Sequence, residues 1–173
     1  MSQKGSPIFK GNYPYALDEK GRLTLPSSLR EEITRSTDIP ERLYLSYFPA
    51  NSYLAIYTYE VWNEVVADFS QAERYPSTAV KTAAQRLLFA NVETVSMDKA
   101  SRILIPANYR EKIGVDLGQK VIVNGAGPRI EIWSPEIYAA NELKDIELWR
   151  AAQELEEKRA LTLGPETARL PEC

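Results

Sequence analysis

Histidine is absent from this chain of 173 residues, and the single cysteine, Cys173, is its last residue. The usual general base, the commonest metal ligand and an internal thiol nucleophile are therefore missing, which argues strongly against catalysis. One terminal cysteine also rules out an internal disulfide or a thiolate metal cluster and suits a reducing compartment, and it reads as an exposed thiol without a role. No apolar run approaches the roughly 18 to 20 residues needed to span a bilayer, and the start MSQKGSPIFKGNY has no apolar stretch of signal-peptide length. The protein is expected to stay in the cytoplasm, with no membrane partner, small-molecule substrate, cofactor or metal.

What is present is ordinary for a globular chain: 44% apolar and 26% charged residues, enough for one domain or a compact pair of half-domains with a tail. The net charge of -3 argues mildly against a nucleic-acid partner, but its distribution is uneven. Residues 1 to 30 carry five Lys/Arg against two Asp/Glu, whereas residues 139 to 173 carry five against eight. A basic edge and an acidic tail can share one molecule.

One pattern occurs twice, eighty positions apart: Asp18, Arg22, Pro26 and Arg30, then Asp98, Arg102, Pro106 and Arg110. Aligning Tyr15 to Ile33 with Val95 to Ile113 gives six identities in nineteen positions. The likeness continues beyond the site, because Leu43 to Leu45 and Leu54 to Tyr57 are echoed by Val121 to Val123 and Ile130 to Trp133. Each half is one supersecondary unit. A unit of about 50 residues has too much surface for its volume to be comfortable alone, so two copies should pack their apolar faces together about a pseudo-twofold axis.

Tyr13 to Leu17 and Arg22 to Leu25 read as short strands joined by the turn Asp18-Glu19-Lys20-Gly21. Pro26 stops the strand, and Ser28 with Glu31 reads as a capping box for a helix to about Ser36, matched by Asn108 and Glu111. A second strand pair follows in each half, Leu43 to Tyr47 with Tyr53 to Thr58, and Lys120 to Asn124 with Arg129 to Trp133 around Gly125-Ala126-Gly127-Pro128. Helices are expected over Tyr59 to Phe69, over Pro76 to Ala90 with Val80, Ala83, Ala84, Leu87 and Leu88 on one buried face, and over Pro135 to Lys144 with Ser134 as cap. A separate acidic helix from Ile146 to about Leu161 is expected to stop at Gly164-Pro165, with a mobile tail beyond. The expected organisation is a first half over 1–75, a bridging helix over 76–91, a second half over 92–145, and an acidic helix and tail over 146–173.

Arginine and lysine at a hairpin tip supply what phosphate recognition requires: permanent charge and planar, bidentate donors. A β-ribbon also fits the major groove, where arginine bonds guanine through two donors. The bland alternative is that Asp18 with Arg22, and Asp98 with Arg102, merely pair across their turns. Asp18 and Asp98 are read as orienting the loops rather than touching phosphate. Arg30 and Arg110 stand in the first helical turn, where the dipole disfavours a cation, so bracing and DNA contact are evenly weighed for them. Tyr44, Tyr47, Phe48 and Tyr53 are candidates either for protomer contacts or for the core. A duplicated aspartate invites comparison with aspartic proteases, but Glu19 and Lys99 stand where those sites carry a small hydroxyl residue.

At these residues the chain resembles the MraZ family of bacterial transcriptional regulators. The match begins with Phe9-Lys10-Gly11, takes in Leu17 to Arg22, passes through Gln85-Arg86-Leu87-Leu88, and reaches Asp98 to Arg102, Pro106 and Arg110. The resemblance implies an α+β fold of duplicated AbrB-like swapped-hairpin halves, forming a pseudo-twofold β-barrel-like core with flanking helices. It implies a repressor of the division and cell wall gene cluster that binds tandem direct repeats in double-stranded promoter DNA as a ring-shaped homo-oligomer, associated with the nucleoid. Carried over by position, the DNA-contacting loop falls on Lys20 and Arg22 and on Arg102, with Lys99 supplying the second lysine; Arg30 and Arg110 complete the candidate set. The family's glycine before the arginine is Ser101 here, so the second loop is expected to differ in shape. A protein-interaction module, such as the DNA-binding antitoxin partner of a toxin, is the alternative.

Overall fold

Pro14 has no N–H to give to a ladder, so a strand that contains it belongs at a sheet edge. In the computed structural model, which describes residues 5–71 and 75–163, that strand is an edge. Along the chain run β1 (Asn12–Ala16), β2 (Arg22–Thr24), α1 (Ser27–Ser36), β3 (Arg42–Phe48), β4 (Tyr53–Thr58), α2 (Tyr59–Ser70) and α3 (Thr78–Phe89). The second half follows as β5 (Val92–Ser96), β6 (Arg102–Leu104), α4 (Ala107–Lys112), β7 (Lys120–Ala126), β8 (Arg129–Trp133) and α5 (Pro135–Leu163).

The strands joined by each aspartate loop do not ladder with each other. β1 crosses to the second half and pairs antiparallel with β7, β5 crosses to the first and pairs with β3, and β2 pairs with β6 in a ribbon of its own. The two halves are thus exchanged, and neither closes a sheet from its own residues alone. Leu23 lies opposite Ile103 and Ala55 opposite Glu131, residues that correspond to each other in the duplication, so a pseudo-twofold axis passes through both pairs. The larger sheet has the open order β1-β7-β8-β4-β3-β5. The fold is α+β as expected, but no barrel closes: β1 and β5 remain edges, and the β2–β6 ribbon is a separate sheet.

The core follows the duplication residue by residue. Leu23 and Ile103, Leu43 and Val121, Leu45 and Val123, and Leu54 and Ile130 all lose nearly all contact with solvent. Each such side chain contributes about 1.5–3 kcal/mol, and because residues of both halves share one core cluster the stabilisation belongs to the fused chain. The candidate interface aromatics are largely occupied inside the protomer. Tyr53 is buried and stacks on Trp133 at 4.5 Å and on Phe48 at 5.1 Å, and Tyr44 stacks on Trp62 at 5.4 Å.

Three local expectations are corrected. Neither capping box forms: Pro26 and Pro106 are the N-caps of α1 and α4 without side-chain cap bonds, and Ser28 instead shares a hydrogen bond of 2.8 Å with the Tyr13 hydroxyl. On α3, capped by Ser77, only Leu88 of the expected apolar face is buried, while Val80 and Leu87 remain 45% and 59% exposed. The two expected C-terminal helices are one, α5, since no glycine or proline interrupts Pro135 to Leu163. Ser134 caps it, accepting from the Ile137 N–H at 3.4 Å. The chain divides into two units, residues 1–137 and 138–173. Gly164-Pro165, the tail and Cys173 lie outside the described residues.

Candidate nucleic-acid interface

Each aspartate is the hub of its loop. Asp18 Oδ1 accepts from the backbone N–H groups of Lys20 and Arg22 at 2.9 and 2.8 Å, and its Oδ2 accepts from Arg22 Nε at 2.7 Å. Asp98 repeats the arrangement with Ala100, Arg102 and Arg102 Nε at 2.8, 2.9 and 2.8 Å. The Arg22 N–H, foremost, and then its guanidinium hold the Asp18 carboxyl at a pKa of about 2. Asp98 is lowered too, chiefly by the Arg102 side chain. Pairing across the turn is therefore present in both loops. It does not consume the arginines, because a guanidinium has five donors and both side chains keep about a third of their surface exposed.

A carboxyl whose folded pKa is depressed stabilises the fold above its unfolded value, near 3.8, and that contribution disappears as pH falls through the folded value. Both loops should consequently hold their shape from neutral pH to about pH 4; the first should open only near pH 2, and the second as Asp98 protonates below its ordinary range. Carboxyl titration followed by NMR should show a midpoint of about 2 for Asp18 and one below 3.8 for Asp98; ordinary midpoints would mean that the hubs are not formed.

Ser101 shows how the missing glycine is accommodated. It adopts φ +60°, beside φ +76° at Gly21, so the second loop keeps the shape of the first despite the expected difference. A serine pays for that conformation with roughly 1 kcal/mol of strain. Ser101→Gly should raise stability by about 0.5–1 kcal/mol, less whatever the Arg30 hydrogen bond to its hydroxyl contributes. The expected rise in Tm is roughly 2 °C, and a fall would locate the value of Ser101 in its hydroxyl.

The loops are braced from the opposite half. Arg30 Nη1 donates to Ser101 Oγ at 3.2 Å, and Arg110 stands against Gly21, where a Cβ would meet its Nε at 3.1 Å, while that Nε donates to the Ile105 carbonyl at 3.2 Å. The backbone repeats the exchange: Leu25 N–H donates to Ser101 O at 3.0 Å and Ile105 N–H to Gly21 O at 2.9 Å. The loops thus sit side by side, close enough that Asp18 as well as Asp98 stabilises charged Arg102. Lys20 and Lys99 are exposed beyond them, and Arg30 and Arg110 are half-buried behind them.

Two residues of this edge escaped the sequence reading. Leu23 and Ile103 point inward and are fully buried, so alternation sends Arg22, Thr24, Arg102 and Leu104 to the other face of the ribbon. Thr24 and Leu104 are exposed there. The period of two carried the signal, but Pro26 and Pro106 leave strands too short for it to stand out.

Among the described residues no group of three or more His, Cys, Asp or Glu could hold a metal ion, and no helix is long and apolar enough to cross a membrane. The family model for "MraZ protein, putative antitoxin-like" matches the chain twice, over residues 8–87 and 88–160. Curated relatives named transcriptional regulator MraZ include those of Mycoplasmoides gallisepticum, 35% identical over 76% of this chain and 84% of the relative, and of Heliobacterium modesticaldum, 32% identical over 75% and 82%. That of Marinomonas sp. is 30% identical over 77% and 84%. The name these relatives carry is that of a regulator of transcription, not of an enzyme. With a duplicated match across most of its length and the exchanged halves that place both Asp–Arg loops on one edge, this chain belongs to the MraZ family.

Proposed function

We propose that this protein is a sequence-specific, DNA-binding regulator of transcription that grips duplex DNA with its paired loops. The observation that carries the reading is the juxtaposition of two cationic loops from different halves, with Arg22 and Arg102 on one face of a two-stranded ribbon. Arg22 and Arg102 contact phosphate or guanine, and Lys20 and Lys99 add phosphate contacts from the tips. Asp18 and Asp98 aim the arginines. Arg30 and Arg110 support the loops from behind and add positive potential, a division of labour favoured by their half-buried positions.

The finer reading is supported by the family resemblance: a repressor of the division and cell wall gene cluster, acting in the cytoplasm at the nucleoid on tandem direct repeats, as a ring-shaped homo-oligomer. A ring suits weak individual contacts, since one bound protomer holds the next at high effective concentration over the neighbouring repeat. The duplicated regions, the bridging helix and the acidic C-terminal segment then divide the work as 1–75, 76–91, 92–145 and 146–173. Titration of a promoter duplex across a range of salt concentrations, with the loop arginines present and removed, tests the reading, and the stoichiometry of the complex gives the number of protomers per duplex.

A further inference from the structure

We infer that Leu104 reads a thymine 5-methyl group in the major groove, and that its counterpart Thr24 does not discriminate in this way, so that a single protomer recognises a directional site. The inference rests on the reading of the paired loops as the DNA-binding edge.

The charged groups of the ribbon obey the pseudo-twofold axis and its remaining outward residues do not. Arg22 stands opposite Leu104, and Arg102 stands opposite Thr24. Single exposed leucines are common and ordinarily mean nothing. Leu104 differs in its placing: it is 53% exposed on the face from which both arginines project, while the inward positions Leu23, Leu25, Ile103 and Ile105 are all occupied by core packing. Among the described residues, packing requires no apolar group there.

A two-stranded ribbon fits the major groove, and the one apolar feature that groove offers is the thymine methyl. Leu104 can cover that methyl while Arg22 across the ribbon bonds an adjacent base or phosphate. Thr24 also carries a methyl, but on a shorter side chain that covers less apolar surface and beside a hydroxyl that can bond the edge of any base pair, so the first half tolerates what the second half selects.

The test uses the full chain. A randomised duplex library is sorted by binding to the protein, and a duplex from the bound pool is remade with deoxyuridine replacing thymidine one position at a time, which deletes the methyl and preserves every hydrogen bond. The expected result is one position at which uracil weakens wild-type binding about fourfold, with Leu104→Ser insensitive to the exchange there. Thr24→Leu should acquire a second sensitive position, related to the first by the axis, and serves as the fold-preserving counterpart. Equal binding of thymine and uracil duplexes at every position, or an unchanged ratio in Leu104→Ser, overturns the assignment of Leu104 while leaving arginine-dependent binding in place. Arginine-independent binding would overturn the loop reading itself, and this inference with it.

Discussion

Replacing Arg22 and Arg102 together by alanine is expected to weaken binding to a promoter duplex at least about thirtyfold, from about 1–3 kcal/mol at each arginine. The salt dependence should flatten in step, the slope of log K against log salt losing about one unit for each phosphate contact removed. The structure adds a second penalty. Each arginine shares its guanidinium with Asp18 or Asp98 at 2.7 Å, so truncation leaves two unpaired carboxylates on an edge that meets a polyanion. Repulsion from them deepens the loss at low salt and is screened at high salt. Lys20→Ala with Lys99→Ala lowers affinity less, because those side chains leave no unpaired acid behind. Unchanged affinity and slope in the double arginine variant would remove the loops from the mechanism.

Gly125→Val is expected to destabilise the fold by about 3 kcal/mol and to lower Tm by roughly 6–12 °C. The N-terminal segment runs directly over this glycine, and a Cβ would overlap the backbone of Lys10. That segment is held by the Phe9 N–H donating to Gly127 O at 2.7 Å, the Gly127 N–H returning to Phe9 O at 3.0 Å, and the Gly125 N–H donating to Gly11 O at 2.8 Å. Relieving the overlap means lifting Lys10, which breaks these bonds and exposes Phe9, now 2% accessible. Gly5→Val, where a Cβ meets nothing within 4 Å, is the matched control. A Gly125→Val protein that melts with the wild type would mean that the segment is not docked. The loss should be seen first in stability rather than DNA affinity, since Gly125 meets the chain ahead of Asn12, at the end of β1 away from the one that enters the Asp18 loop.

Much of the site was legible because it is made of local chemistry. An aspartate four residues before an arginine can hold both the turn and the guanidinium, and the repetition of that spacing at Asp98 and Arg102 marked the pair as one feature. The capping boxes misled because Pro26 and Pro106 already occupy the helix entry, leaving Ser28 free to bond Tyr13. The face of α3 misled because periodicity reports which residues could share a buried surface, not whether enough of the chain lies against them; only Leu88 found cover. Arg30 and Arg110 were ambiguous for a related reason. Their task depends on the loop of the opposite half, about seventy residues away from Arg30 in the case of Ser101.

Two equivalent units, an Asp-hubbed cationic loop in each, and no histidine or internal cysteine for catalysis are already written in the order of the residues. These follow from residue type and short spacing, which act within a few bonds of the backbone. The exchange of β1 and β5 between halves, the meeting of Leu23 with Ile103 on a pseudo-twofold axis, and the shared face of Leu104 and the arginines arise only in the folded chain. Strand pairing is a choice among partners of similar local character, settled by which arrangement buries the apolar residues of both halves in one core, and that quantity belongs to the whole chain.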